Sequence, residues 1–352
     1  MKLEKGQVRN QSHPEIRMID IAREAGVSRP VVSAVLTGAG NGRIQASRET
    51  AERIRAIAAK YHFQPNAAAR MLRGKSGKLI GILIDSMAPL VRFSLVGCIE
   101  KQASLAGYHI QIAESHDDPA SLFDAYLRMK RHGVDGVICI SHDYPGSKEK
   151  MEDLFRDSHD VVFISGPVLP GHSHVIPDIA AGYAQAAELL KSSGCRNPVM
   201  LMQNTPASFT MEQRLAGFRK VYPQGRVEDI DLLETDTGIL RQEIQGAVDR
   251  IFSGAERPDG ILACNDLCAQ MVISELFRRG IRVPDDVEII GCDNDPFTEW
   301  STPSITTVDQ NCMEIAGESV KLLLTSLQSP DSRAVYIPPR LIIRNSTKGK
   351  RV

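Results

Sequence analysis

The chain has 352 residues, 42% apolar and 24% charged, enough for two or three domains with sizeable cores and ordinary for a soluble protein. No run nears the roughly 18 uninterrupted apolar residues of a transmembrane candidate, and the polar start "MKLEKGQVRNQSHPEIR" lacks a signal-peptide core. A cytoplasmic chain with no membrane partner is therefore expected. The net charge of −1 hides a split: residues 1–78 hold 15 Lys+Arg against 6 Asp+Glu, and the remainder stands at −10. So basic an N-terminal fifth on an acidic body implies that the fifth meets a polyanion.

After a polar extension (1–15), "RMIDIAREAGVSRPVVSAVL" resolves into two short helices. Ile21, Ala22 and Ala25 recur at helical spacing, and Gly26 supplies the left-handed residue that ends the first helix. Ser28 can cap the second, with its Oγ accepting from the Val31 N–H, and Val32, Val35 and Leu36 form its inward stripe. Pro30 then occupies the second helical position, where the lost N–H has no intrahelical acceptor to miss. In "SRETAERIRAIAAKYH", Ser47 caps a third helix whose stripe is Ala51, Ile54, Ala58 and Tyr61. Two helices around a Gly-containing turn, plus a third, make a helix-turn-helix headpiece over 16–63. "FQPNAAARMLRGKSGK" follows as a short basic helix and linker, 64–78.

From residue 79 the pattern alternates. "LIGILI", "HIQIA", "VDGVICI", "DVVFIS", "PVMLM", "DGILACND" and "VEIIGCDN" are apolar runs separated by helix-length segments such as "YAQAAELLKSSG". This is the pattern of parallel sheets covered by helices. Ligands of such sheets bind beyond the carboxyl ends of the strands. That rule nominates Asp85 and Ser86, Ser141 and His142, Asn265 and Asp266, and Asp293 and Asn294, with Arg214 at the opening of a helix. Phe93 and Phe209 fall near the same loops, and Trp300 is equally open to stacking or packing. His172 and His174 in "PGHSHVIPD" read as a solvated loop. Seven scattered cysteines form no metal set, Cys264 and Cys268 included, and read as buried thiols. No nucleophile elbow, P-loop or dinucleotide fingerprint is present, so no enzyme, cofactor or metal is expected.

"IDIAREAGVSRPVVSAVL", "ETAERIRAIAAKYHFQPNAAARMLR", "LIGILI", "NDLCAQMVISELFRRGIRVPDDVEIIGCDN" and "TPSITTVDQ" follow one another in the order found in the lactose-repressor (LacI/GalR-type) family, which the chain resembles. The resemblance implies a small all-α helix-turn-helix headpiece and an α/β periplasmic-binding-protein-like core. That core has two Rossmann-like lobes with parallel sheets, crossed by three strands. The N-terminal lobe is expected over 79–190 and 307–330, and the C-terminal lobe over 191–306 and 331–347. It implies DNA contacts from Arg17, Met18, Ser28, Arg29, Pro30, Val31 and Ser33. Arg29 suits guanine, and Pro30 offers at most packing against a thymine methyl. Ala34 lacks the polar contact many relatives have there, and Asn41 and Arg43 lie in a longer loop. The hinge would be Asn66, Ala69, Arg70, Leu72 and Arg73, with Leu72 as a minor-groove wedge. Effector candidates are Ser86, Phe93, Ser141, Asp178, Arg214, Asn265 and Asp293, a set suited to a polyhydroxyl ligand. The expected function is a ligand-responsive, sequence-specific repressor. A homodimer would bind a pseudo-palindromic double-stranded DNA operator under a small polar effector, such as a sugar. A solute-binding or sensor protein of the same core fold is the alternative.

Overall fold

The computed structural model describes residues 16–37, 46–63, 76–85, 90–115, 118–140, 142–144, 146–204, 208–232, 237–254, 256–329 and 332–349. Two units divide the chain, Met1–Gly77 and Lys78–Val352. Among the described residues no helix is long and apolar enough to cross a membrane.

The first unit holds α1 (Met18–Glu24), α2 (Arg29–Thr37) and α3 (Arg48–Lys60). The Arg17 N–H donates to Asp20 at 3.0 Å, which opens α1. Its end is a Schellman turn: the Val27 N–H donates to Ala22 O at 3.0 Å and the Gly26 N–H to Arg23 O at 3.3 Å, with Gly26 at φ +65°. Into α2, the Val31 N–H donates to the Ser28 carbonyl at 3.0 Å, rather than to the expected Oγ. Ser47 caps α3 through the Thr50 N–H at 3.2 Å. Ile21, Ala22, Ala25, Val32, Ile54, Ile57 and Ala58 form the core. Tyr61, expected in the stripe, is exposed because α3 stops at Lys60, and Ile57 and Phe63 pack in its stead. Asn41, Arg43 and the hinge candidates Asn66, Ala69, Arg70, Leu72 and Arg73 lie outside the described residues.

In the second unit, one sheet runs β11-β5-β4-β3-β1-β2. Its strands are β1 (Leu79–Ile84), β2 (His109–Glu114), β3 (Gly136–Cys139), β4 (Val161–Ile164), β5 (Ser173–Pro177) and β11 (Ala334–Ile337). A second sheet runs β12-β10-β9-β8-β6-β7. It comprises β6 (Pro198–Gln203), β7 (Arg226–Ile230), β8 (Gly260–Ala263), β9 (Glu288–Cys292), β10 (Thr306–Asp309) and β12 (Arg340–Ile342). Every pairing is parallel except β10 with β12. Both faces of each sheet are covered, which is why the strands read as continuous apolar runs. On β1, Ile80, Ile82 and Ile84 pack with α4 (Leu90–Leu105) and α12 (Cys312–Ser326). Leu79 and Leu83 face the other way, toward α5 (Pro119–Arg131) and α6 (Lys148–Phe155). Around the second sheet, Met200 and Met202 meet α7 (Ile179–Ser192) and α8 (Phe209–Val221), while Val199 and Leu201 meet α9 (Thr237–Phe252) and α10 (Asp266–Arg278). A short α11 (Phe297–Trp300) follows β9.

The lobe boundaries differ from the expected ones. Helix α7 packs in the second lobe although it falls within 79–190. Strand β10 pairs in the second sheet although all but its first residue falls within 307–330, and β11 pairs in the first although it falls within 331–347. The chain therefore crosses at Asp178, between β10 and α12, and at Pro338–Pro339. Each element sits where its apolar side chains find a covered face, and sequence distance has no say. "SHVIP" is likewise a correction: it forms β5, buried along its length, where a solvated loop was expected. His174 fits there because its Nε2 accepts from the Leu169 N–H at 3.0 Å and its Nδ1 meets Ser165 O at 3.2 Å.

Helices α7 and α8 approach closely at Gly217, where an added Cβ would collide with the Ala180 carbonyl and crowd Tyr183 Cβ at 2.8 Å. Backbone cannot move aside cheaply, so Gly217→Ala is expected to destabilise by roughly 1–3 kcal/mol or more in urea unfolding. Gly97→Ala in α4, with nothing near its would-be Cβ, is expected to be neutral or stabilising. Equal effects from the two would contradict the packing.

Candidate functional site

On the headpiece, Arg17, Ser28, Arg29 and Pro30 are exposed, whereas Met18, Val31 and Ser33 are half-buried. Met18 and Val31 pack against the three-helix core. The free face of α2 thus begins with a cation and an apolar ring.

In the second unit the carboxyl ends of both sheets converge on a cavity of about 620 Å³. From the first lobe it is lined by Asp85 after β1, His142, Asp143 and Tyr144 after β3, and Ser165 after β4. Gln203 at the end of β6, Leu232 after β7, Asn265 after β8 and Asp293 after β9 line it from the second. Arg214 reaches in from α8. Of the effector candidates, the structure therefore brings Arg214, Asn265 and Asp293 together. Ser86 and Ser141 lie outside the described residues. Phe93 is 54% exposed and is absent from the lining, where its neighbour Arg92 stands. Asp178 is also absent and caps α7, accepting from the Ala181 N–H at 3.0 Å. Trp300, 82% exposed, borders a separate shallow concavity with Leu90, Leu267 and Phe297.

The charged groups of the cavity are held rigidly. Arg214 is 5% exposed; its Nε donates to Tyr183 Oη at 3.1 Å and its Nη1 to Thr210 O at 3.4 Å. The Tyr183 hydroxyl in turn lies 2.9 Å from the carbonyls of both Ala263 and Cys264. Burial pushes the Tyr183 phenol well up, so it stays a donor. Asp293, buried at φ +113°, accepts from Gln310 Nε2 at 2.5 Å, and its own N–H donates to Val308 O at 2.8 Å. That backbone region is strained for a non-glycine residue and persists where surroundings over-determine it. Burial raises the Asp293 pKa and the Arg214 guanidinium opposes the rise. Asn265 does two things at once: its Oδ1 caps α10 through the Cys268 N–H at 2.8 Å while the residue lines the cavity.

Sequence reading missed Asp143. From the first lobe it accepts from Ser208 Oγ at 2.7 Å, the Phe209 N–H at 2.9 Å, and the Thr210 N–H and Oγ1 at 3.0 Å each. A carboxylate of one lobe thus caps the first turn of a helix in the other, where exposed N–H groups and the helix dipole favour negative charge. Phe209 adds an apolar cross-lobe contact, its ring lying where a Cβ on Gly166 would be. The local signal in "SHDYPG" is nil, because the partners are 65 to 67 residues away.

Behind the cavity, Asp266 is fully buried and accepts from the Asp295 N–H at 2.8 Å. Burial, reinforced by the Asp293 charge, pushes its pKa up to about 8 from 3.8.

Residues 17–66 match the model for bacterial regulatory proteins of the lacI family, and residues 187–347 that for a periplasmic binding protein-like domain. The sucrose operon repressor of Streptococcus mutans is 28% identical over 323 residues, covering 92% of this chain and 96% of the relative. The transcriptional repressor PurR of Mannheimia succiniciproducens is 25% identical, covering 94% and 98%. Among solved structures, the lac repressor dimer bound to operator and the anti-inducer ONPF superposes with a TM-score of 0.79 at 22% identity, over 94% of this chain and 99% of that one. The likeness shows a headpiece joined to a two-lobed core.

The buried acid Asp266 gives a testable pH dependence. Between about pH 4 and 8 the folded chain keeps a proton that the unfolded chain releases, so stability contributed by this residue falls as pH rises through that window. Asp266→Asn cannot titrate. Its melting temperature is expected to gain on the wild type from pH 5 to pH 8, and parallel profiles would contradict the assignment.

Proposed function

The chain belongs to the lacI family of bacterial regulatory proteins, and from that premise we propose that it is a ligand-responsive repressor. A small polar effector, a sugar or related metabolite, occupies the cavity between the lobes. The relatives' names point to this class: among them are sucrose and ribose operon repressors. A cytoplasmic homodimer presents two headpieces to a pseudo-palindromic operator, as two-fold symmetry of the protein requires of the site. Arg29 and Pro30 lead α2 into the major groove, where Arg29 reads guanine and Pro30 packs against a thymine methyl. Val31 stands with them, and Ser33 lies nearer the phosphates. Beyond the headpiece, Asn66, Ala69, Arg70 and Arg73 flank Leu72, which wedges into the minor groove. Arg214, Asn265 and Asp293 hold the effector.

One observation carries this reading: an exposed Arg29–Pro30 pair at the start of α2, in a segment with a +9 charge surplus. It is joined in one chain to a cleft lined by Arg214, Asn265 and Asp293.

Binding-site selection on random duplexes tests it. The wild type is expected to return a pseudo-palindrome with affinity that falls steeply with salt. Pro30→Gln is expected to change the selected motif, and Arg29→Ala to lose about 1–3 kcal/mol of discrimination at one guanine. The same motif from all three, or none from the wild type, would refute it. At the core, a metabolite that raises the melting temperature of the wild type is expected to fail with Asp293→Ala. An unchanged shift would move the effector elsewhere.

A further inference from the structure

Two consecutive residues beyond β9 hold a backbone conformation that L side chains rarely adopt: Asp293 at φ +113° and Asn294 at φ +53°. Such conformations cost free energy and persist where the surroundings over-determine them. Asn294 stands between Asp293 and Asp295, the two carboxylates that this loop gives to the cavity lining. Whatever holds the turn therefore places both.

Asp293 has two holds of its own: its N–H donates to Val308 O at 2.8 Å, and its carboxylate accepts from Gln310 Nε2. Asn294 has three. Its N–H donates to Thr307 Oγ1 at 3.2 Å, its Nδ2 donates to Asp309 at 3.4 Å, and its Oδ1 accepts from Arg344 Nη2 at 2.8 Å. The last is the shortest of the three, and its donor is a cation, which makes it the strongest.

Arg344 lies 50 residues further along the chain, beyond β12, and is absent from the cavity lining. Its root is fixed. The Arg344 N–H donates to Thr306 Oγ1 at 2.8 Å, and two residues on, the fully buried Ser346 donates through Oγ to Ile289 O at 2.6 Å. Its head is fixed as well, with Nη1 donating to Ile305 O at 2.9 Å and to Thr298 Oγ1 at 3.1 Å. Pinned in this way to β9, β10 and α11, the guanidinium presents Nη2 to Asn294 from a rigid mount. A planar fork of donors can do this, and a flexible ammonium cannot.

We propose that Arg344 is a positioning residue for the cavity: by gripping the side-chain amide of Asn294 it keeps the left-handed turn that sets Asp293 and Asp295 in the lining. The functional weight of the inference rests on the reading of the cavity as the effector site, on which Arg344 acts through Asp293 without touching the effector.

The test is hydrogen exchange at the Asp293 and Asn294 amides of the ligand-free full chain, compared among wild type, Arg344→Met, Asn294→Gly and the double variant. Arg344→Met keeps the stem and loses the fork. Both amides are expected to exchange about tenfold faster in it, as the loss of a hydrogen bond to a charged group implies, while amides of β6 and β8 keep their protection. Glycine holds φ +53° unaided, so Asn294→Gly removes the need for the grip. In the double variant both amides are expected to exchange within about fivefold of Asn294→Gly alone, a rescue that a general packing role of Arg344 would not give. Acceleration below about fivefold in Arg344→Met, or an equal acceleration of β6 and β8, overturns the inference. So does a double variant that exceeds Asn294→Gly by more than that margin. Should Arg344→Met not fold, Arg344→Lys, which keeps the charge without the fork, takes its place with the same outcomes. The exchange needs no ligand, so it stands or fails apart from the effector reading, which falls to an unchanged thermal shift in Asp293→Ala.

Discussion

The cap that Asp143 places on α8 joins the two lobes across the cleft, alongside the crossover segments and the contact of Phe209 with Gly166. Its carboxylate takes four hydrogen bonds from Ser208, Phe209 and Thr210, all from the other side of the cleft. Charge-assisted bonds to helix N-termini are among the stronger polar contacts available, and these exist only while the lobes are closed. Everything that lines the cavity depends on that closure. Arg214 lies one turn further along α8, and His142 precedes Asp143 in the chain. Opening the cleft would withdraw one set from the other.

The cavity walls are built so that few groups are free to respond. Tyr183 fixes Arg214 and is itself fixed by two carbonyls at the carboxyl end of β8. Gln310, from the second crossover, fixes Asp293. A residue of that crossover thus contacts a carboxylate of the cavity lining, which gives binding in the cavity a direct route to lobe angle. In the thermodynamic sense this is coupling only to the extent that a ligand prefers the closed arrangement.

Much of this was legible in the chain. Gly26 before Ser28 marked the turn of the headpiece, Ser47 marked the third helix, and continuous apolar runs marked strands buried on both faces. The strand-end rule together with the family resemblance nominated Arg214, Asn265 and Asp293, which the fold brings to one cavity. What escaped was non-local. "PGHSHVIPD" reads as polar, yet His174 is satisfied by backbone groups of Leu169 and Ser165 that only the folded sheet brings near. Asp178 resembled a ligand residue but caps α7, and a cap and a strand-end ligand share one residue type. Asp143 carried no local signal, since its partners lie 65 to 67 residues away, whereas Gln203, directly after "PVMLM", is a position the strand-end rule reaches. The lobe boundaries moved for the same reason: α7, β10 and β11 are assigned by the face they cover.

Whether the Asp143 carboxylate holds the lobes together is most directly read by hydrogen exchange at the Phe209 and Thr210 amides. Both donate to it in the closed cleft, and exchange reports the free energy of local opening. In Asp143→Ala these amides are expected to exchange markedly faster than in the wild type, while amides of β1 and β8 keep their protection. Unchanged protection at Phe209 and Thr210 in the variant would show that closure does not rest on this contact, and would contradict the account.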